Sequence, residues 1–410
     1  MLPLFVIMSK LFMTENKGLM IITPKTYSGG AENVAARLSC FFADFMNVHV
    51  VTFDASKIDY NYAGKLVDLE LGDNKGAFGK VSSIIKAAFS IKKIKKETNP
   101  MACISLIGHP NISNILSKNG ELCVVSVRTY LRKSPFLLKR IFQKLYIKFL
   151  YNRADKVVAI CEGVKHDLIN YYGVEEAKID VIYPYFDTQE IQTLSCDELE
   201  DDVSEIFNYP VVITVGRMTY DKGHWHLIKA FKEIKESQPD ARLVILGRGE
   251  LENDLKALAK SMGLEAHIHF LGYRSNPYKY IRAASVFAFP SLIEGFGNAL
   301  GEAIACGTPV VAADCDVGPR EIIAPTSDFT QKASKNEIHA CGILVPPFDE
   351  KLNFDGNDIN ENEGRLAAAI IEVLTNKELR EKMSESAKIR AESFDIKSVT
   401  KQWQHLLGMH

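Results

Sequence analysis

No run of the 410 residues stays apolar for the ~18 positions that a membrane-crossing helix requires. The opening MLPLFVIMSKLFM is apolar but short. It has no basic residue ahead of its apolar core and no small-residue cleavage site, so a secretory leader is not expected, and Met8, Met13 and Met20 are alternative starts to Met1. The eight cysteines form no Cys-x-x-Cys pair and no metal-type spacing, which points to free thiols in a reducing cytosol. A net charge of −2 and the absence of any nucleic-acid motif leave no polyelectrolyte character. The charge is uneven, however. From Lys75 to Arg153 sixteen Lys and Arg stand against two acids, Glu97 and Glu121, whereas CDELEDDVSE (196–205) is acidic.

What is present is a chain of ordinary globular composition, long enough for two domains. Buried-strand runs alternate with helical spacing. LMIIT (19–23), NVHVVTF, MACISLI (101–107), LCVVSV (122–127) and KVVAI (156–160) fall in the first half. PVVITVG (210–216), RLVILG (242–247), HIHFLG, VFAFP, PVVAAD and GILVP fall in the second. Trp225, Ile228, Phe231 and Ile234 mark a helix over 223–237, and Leu251, Leu255, Leu258 and Met262 one over 250–262 that Gly263 ends. Further helices are expected at 364–374, at 377–391 and in the tail, and PFDEKLNFDGNDINENEG (347–364) reads as a long polar loop. The alternation implies an α/β chain of two Rossmann-like, doubly wound parallel-sheet domains facing a central cleft. The expected limits are 1–190 and 205–390, with a linker in the turn-rich segment 187–208 and a tail helix in 391–410 that packs back on the first domain.

Two stretches of the second half carry chemistry. In VGRMTYDKG (215–223) a strand ends, Gly216 permits a turn, and Arg217 and Lys222 stand five apart before a helix. A planar fork beside a mobile point charge suits a diphosphate, although a solvated pair of surface cations has the same spacing. In PSLIEGFGNALGEAIACGTPVVAADCDVGPREII (290–323), Glu294 lies in a loop and Glu302 inside the following helix. Gly295 and Gly297 admit a ligand close to the backbone. The amides of Gly297, Asn298 and Ala299 open the helix as an anion site. Glu302 can accept from a ribose diol, and Glu294 can face the other end of a nucleotide diphosphate-sugar. A bare pair of glutamates eight apart is also what any surface loop–helix unit carries.

VGRMTYDKG, RLVILGRGE, HIHFLGY, PSLIEGFGNALGEAIACGTPVVA and GPREII together resemble, in order and spacing, the family 4 glycosyltransferases over nearly all of 205–390. These are retaining enzymes of the GT-B fold. YSGGAENVAARLS resembles the glycine loop and first helix of the same family, and the rest of the first half matches weakly. The resemblance implies that Arg217 and Lys222 bind the donor diphosphate and stabilise the departing charge without a metal. It implies that Glu294 contacts the transferred sugar and Glu302 the ribose. Gly297 and Asn298 amides would touch phosphate or sugar oxygens, Tyr273 would lie where the base is read, and Gly29 and Gly30 would approach the diphosphate from the other domain. His109, in SLIGHPN, follows a first-domain strand; it is either a cleft histidine near the reacting sugar or a satisfied loop residue. His224 and His226 read as packing or surface residues.

Two departures stand out. The family's Asn-Pro at the hinge is replaced by VIYPYFD (181–187), with Pro184 but no Asn before it. DCD (314–316) resembles a metal-binding Asp-x-Asp, but its place before GPREI makes it loop structure, and no cofactor or catalytic metal is expected. PFLLKRIFQKLYIKFLYNR (135–153), with Arg140, Lys144 and Lys148 on one face, and GKVSSIIKAAFSIKKIKK (79–96) are basic and amphipathic. Such helices suit the anionic inner face of the cytoplasmic membrane, which fits relatives that act on polyprenyl-diphosphate-linked sugars, although a core-facing helix with a solvated cationic back has the same pattern. The expected function is therefore transfer of a hexose or N-acetylhexosamine from a UDP- or GDP-linked donor to a lipid-linked surface glycan such as lipopolysaccharide. A sugar-nucleotide epimerase, a phosphorylase (for which no pyridoxal-lysine signature is seen) and a non-catalytic sugar-nucleotide-binding module are the alternatives.

Overall fold

The apolar runs form strands, and the burial of most of them, Gly18–Thr23, Leu122–Val127 and Val286–Phe289 among others, places them inside parallel sheets covered on both faces. The computed structural model describes residues 18–27, 29–72, 77–131 and 137–409. The chain divides into two units: Met1–Ile160 with Val164–Ile182 and Trp403–His410, and Cys161–Gly163 with Tyr183–Gln402.

The first unit is built on β1 (Gly18–Thr23), β2 (Asn47–Thr52), β3 (Lys65–Asp68), β4 (Pro100–Leu106), β5 (Leu122–Val127), β6 (Lys156–Ala159) and β7 (Ile179–Val181). Their order is β3-β2-β1-β4-β5-β6-β7, with every pairing parallel. The order reverses between β1 and β4, so the loops after these two strands open the crevice where such sheets take ligands. Right-handed crossovers put helix Gly30–Ala43 on one face and helices Ala77–Thr98, Gly108–Leu116 and Leu137–Tyr151 on the other.

The second unit repeats the plan with β8 (Val211–Val215), β9 (Arg242–Leu246), β10 (Ile268–Gly272), β11 (Val286–Phe289), β12 (Val310–Ala313), β13 (Glu337–His339) and β14 (Gly342–Val345). The order is β10-β9-β8-β11-β12-β14-β13, parallel except for the antiparallel edge strand β13. Here the order reverses between β8 and β11. Trp225, Ile228, Phe231 and Ile234 of helix His224–Ser237 pack with Leu243, Ile245, Leu255 and Ile370 in one core. The helices expected at 364–374, at 377–391 and in the tail form as Glu361–Thr375, Lys377–Glu392 and Ile396–Leu406.

Two expectations change. Residues 187–208 do not form a linker. Asp187 caps helix Thr188–Ser195 by accepting from the Glu190 amide at 2.8 Å. Asn276 Nδ2 then ties that helix down by donating to Leu194 O at 2.8 Å, so the segment is part of the second unit. Lys95, counted in the basic stretch, is not a surface charge: its ammonium is buried 2.6 Å from Glu121 Oε1 and donates to Asn114 Oδ1 at 2.7 Å. The first two residues of PFLLKRIFQKLYIKFLYNR lie outside the described residues, as do Ser28 of the glycine loop and the apolar opening.

The buried Lys95–Glu121 pair makes a testable claim. Glu121→Ala strands an ammonium in the core and is expected to lower stability by ~3–5 kcal/mol in urea unfolding, whereas Lys95→Met with Glu121→Leu recovers most of the loss.

Candidate active site

The second unit's switch point is assembled from the loops after β8 and β11. Close packing of strand ends forces the first loop outward. Gly216 N donates to Leu246 O at 2.9 Å, and Gly247, at φ 138, lies so near that a Cβ there would come within 1.9 Å of Gly216 O. Met218 is fully buried and bonded to the next loop through both backbone groups, its N–H to Arg248 O and its carbonyl from Leu251 N, each at 3.0 Å. Arg217, one residue before this anchor, is left exposed at the rim.

A single 3-10 turn, Tyr220–Lys222, then leads into Gly223. Gly223 adopts φ 60, and a Cβ would meet Pro290 O at 2.3 Å, so only glycine fits where the β8 loop passes the end of β11. Asp221 O accepts from Leu292 N at 2.9 Å and Ile293 N at 3.3 Å. These contacts bring Lys222 Nζ to 2.6 Å from Glu294 Oε1 and 3.7 Å from Asp221 Oδ2. The Lys222 and Glu294 side chains are only 20% and 9% exposed, so two of the predicted residues form one shielded ion pair.

Beyond Glu294, Phe296 is buried and Gly297 caps helix Asn298–Ala305. The first amides of that helix have no intrahelical acceptor. Asn298 and Glu302, four apart, share a helix face, the former exposed and the latter half-buried. Beside that face the Phe186 ring packs so closely on the helix that a Cβ on Gly301 would come within 2.3 Å of it. Tyr273 follows β10 at the same end of the sheet with 70% of its surface exposed. Arg217, Lys222, Glu294, Gly297, Asn298, Glu302 and Tyr273 thus gather at the carboxyl ends of β8, β10 and β11.

In the first unit, Gly29, Gly30 and His109 flank the switch point between β1 and β4. Gly29 N donates to the Tyr60 hydroxyl at 3.1 Å, and that hydroxyl donates to Gly29 O at 3.2 Å, so this loop is clamped by a side chain the sequence reading did not single out. His109 is exposed in the first turn of helix Gly108–Leu116. Neighbouring atoms and Lys80 hold its imidazole below the usual value. The residue that caps its helix, Ile107, has φ 54, a left-handed conformation that a β-branched residue adopts only under constraint.

Three other quoted residues find structural roles. Asp314 is fully buried and accepts from Arg320 Nε at 3.0 Å and Nη2 at 2.5 Å, while Arg320 Nη1 pairs with Glu337 at 3.0 Å. Glu321 of GPREII accepts from the Glu162 amide at 2.8 Å, the Gly163 amide at 2.9 Å and the Tyr183 hydroxyl at 3.0 Å. This anchor joins segments more than 130 residues apart and left no local signal. His226 is a core residue, 2.7 Å from Glu363 and stacked on Phe348.

Comparison with known proteins decides the family. The description "Glycosyltransferase Family 4" matches residues 28–190 and "Glycosyl transferases group 1" matches 197–352. An uncharacterised glycosyltransferase of Methanocaldococcus jannaschii is 31% identical over 79% of this chain and 83% of its own length. The chain belongs to the family 4 glycosyltransferases. A Campylobacter jejuni relative is 28% identical over 93% of this chain and 97% of its own. Its name is N-acetylgalactosamine-N,N'-diacetylbacillosaminyl-diphospho-undecaprenol 4-alpha-N-acetylgalactosaminyltransferase. The Anabaena protein HepE, solved in complex with UDP, superposes with a TM-score of 0.71 at 19% identity, covering 96% of this glycosyltransferase and 100% of itself. The two parallel-sheet α/β units are those of the GT-B fold.

Two outcomes follow from this geometry. Gly223→Ala is expected to destabilise the glycosyltransferase by ~1–3 kcal/mol through its left-handed backbone and the Pro290 carbonyl. Gly216→Ala, whose Cβ would meet only Lys222 side-chain carbons at 3.8 Å, is expected to shift the melting temperature far less. Burial, with Lys222 adding to it, pushes the His224 imidazole down from 6.5 to about 4. The unfolded chain therefore binds the extra proton between those values, so stability is lost as pH falls from 6.5 to 4. Denaturation of His224→Phe across that window should show a shallower slope.

Proposed function

We propose that this family member is a retaining, metal-independent transferase. It would move a hexose or N-acetylhexosamine from a nucleotide-sugar to a lipid-linked glycan in surface-polysaccharide assembly, at the inner face of the cytoplasmic membrane. The observation that carries the reading is the shielded Lys222–Glu294 pair at the switch point, with exposed Arg217 on one side and the helix N-terminus at Gly297 on the other.

In this reading the donor diphosphate lies against Arg217, Lys222 and the amides of Gly297 and Asn298. Glu302 takes the ribose hydroxyls, Tyr273 lies beside the base, and Glu294 takes hydroxyls of the transferred sugar. Lys222 then touches both reacting parts, one through phosphate oxygen and one through its glutamate. When the bond between the anomeric carbon and the phosphate oxygen breaks, charge grows on the diphosphate, where the two cations already stand. The acceptor oxygen bonds to the anomeric carbon on the same face and its proton passes to the departing phosphate oxygen, so no enzyme nucleophile is required. Asp314, first acid of the Asp-x-Asp, is held by Arg320, which supports a metal-independent reading of that motif.

The diphospho-undecaprenol acceptor in the Campylobacter relative's name supports a lipid-linked acceptor. HepE's UDP supports a uridine donor over guanosine. An epimerase or a non-catalytic module would use the same binding groups, so the binding test is paired with donor turnover. With EDTA present, UDP or GDP at 100 times its dissociation constant should stabilise the protein by about 2.7 kcal/mol, read as a thermal shift. The expected outcome is a shift with UDP, weakened in Glu302→Ala, together with slow UDP-sugar hydrolysis without acceptor. No shift with either nucleotide would overturn the donor-site reading, and binding without turnover would favour the non-catalytic module.

A further inference from the structure

Among the described residues sixteen large hydrophobics are exposed, and eight of them lie on two helices of the first unit. Helix Ala77–Thr98 exposes Val81, Ile85 and Phe89, each four residues apart, so they form one stripe. Helix Leu137–Tyr151 exposes Phe142, Leu145 and Phe149 at spacings of three and four, flanked by Ile141 and Tyr146. The three phenyl rings are 73%, 69% and 66% exposed, far beyond what an isolated surface apolar residue explains.

Both helices lie on one face of the sheet and flank helix Gly108–Leu116. Ser113 Oγ of that middle helix donates to Ile84 O at 3.2 Å on one side, and Asn111 Nδ2 donates to the Tyr151 hydroxyl at 3.3 Å on the other. Their buried sides, Ala87, Ala88, Ile91 and Lys95 on one and Ile147 and Tyr151 on the other, face the unit's interior. The two exposed stripes therefore belong to the same outer layer.

The exposed charges around these stripes are cationic and nearly unopposed. Lys80, Lys86, Lys92, Lys93 and Lys96 are exposed on the first helix, and Lys144 and Lys148 on the second. The second helix contains no acid, and the only acid of the first, Glu97, lies 4.0 Å from Lys93. A solvated helix back would carry polar residues where these Phe and Leu stand. A protein partner is the poorer fit, because lysine is depleted in the cores of protein interfaces and arginine enriched. Here every exposed cation named is lysine, while Arg140 is half-buried and donates to the Tyr171 hydroxyl, over whose ring Lys144 also lies at 4.7 Å. Apolar rings to enter the acyl boundary, with flexible ammonium groups to meet headgroups, are the chemistry of an anionic bilayer surface.

We propose that the exposed faces of helices Ala77–Thr98 and Leu137–Tyr151 together form one docking surface for an anionic lipid bilayer, entered by Phe89, Phe142 and Phe149. The proposal deepens the transferase reading and rests on it only for why a membrane is needed. Docking would bring the first unit to the leaflet that holds a lipid-linked acceptor.

The test is co-sedimentation of the full chain with vesicles of phosphatidylcholine alone or with phosphatidylglycerol. The expected result is binding to the anionic vesicles, weakened by salt. Phe89→Ser/Phe142→Ser/Phe149→Ser should lower partition roughly tenfold or more, because three rings no longer leave water. Lys92→Gln and Lys144→Gln should each lower it roughly fivefold. The UDP thermal shift and the melting temperature of each variant serve as controls for the fold. Equal binding to neutral vesicles, no binding to either, or binding untouched by the substitutions would overturn the proposal. So would a wild-type dimer that the triple variant makes monomeric, since a second copy would then cover the face. Vesicle binding without a nucleotide shift would sink the donor-site reading and leave this surface standing.

Discussion

A lysine and a glutamate 2.6 Å apart, on loops that follow different strands, hold the second unit's switch point together. The pair forms because the backbone leaves Lys222 no other course: Met218 is pinned, Gly223 passes under the Pro290 carbonyl, and Asp221 O is bonded to Leu292 and Ile293. With both side chains mostly shielded, neither charge could stand alone without a desolvation cost. The mutual neutralisation keeps the loops in register before any ligand arrives. In the proposed reading the lysine's remaining donors meet the diphosphate, so binding adds a partner to the pair and does not dismantle it.

The remainder of that unit serves to hold those loops still. The buried pair Arg320–Asp314 ties a short helix to the loop after β12, and His226–Glu363 ties two helices to each other. Glu321 gathers three donors from distant segments onto one carboxylate. In the proposed reading, preorganisation of this kind leaves the adaptation to ligand to a few exposed side chains, Arg217 and Tyr273 among them, and not to the frame.

Much of this was legible in the sequence, for physical reasons. Strands buried on both faces, such as PVVITVG and RLVILG, are unbroken apolar runs with turn residues after them, and their order placed Arg217, Lys222, Glu294 and Gly297 at strand ends. Edge strands were not legible: β3 and β13 are short and half-exposed, so KLVD and EIH carry no apolar run. The acidic segment misled because charge suggested a linker, although Asp187 with Glu190 three residues on is a helix start. Lys95 misled because helical spacing cannot tell a buried cation from a surface one when its partner, Glu121, comes from the far side of another helix and strand. Tyr60 and Glu321 had no local signature, since their partners lie about 30 and more than 130 residues away.

Trp403–His410 belong to the first unit, although more than 200 residues of the second intervene after Ile182. Trp403 and Leu407 are buried there. During synthesis the first unit emerges early yet gains the apolar contacts of Trp403 and Leu407 only after the second unit's own chain is out. The two halves are therefore interleaved in time as well as in sequence. A polypeptide released short of Trp403 would carry a second unit with nearly all its chain beside a first unit with an unfilled apolar seat, a form that cellular quality control can recognise.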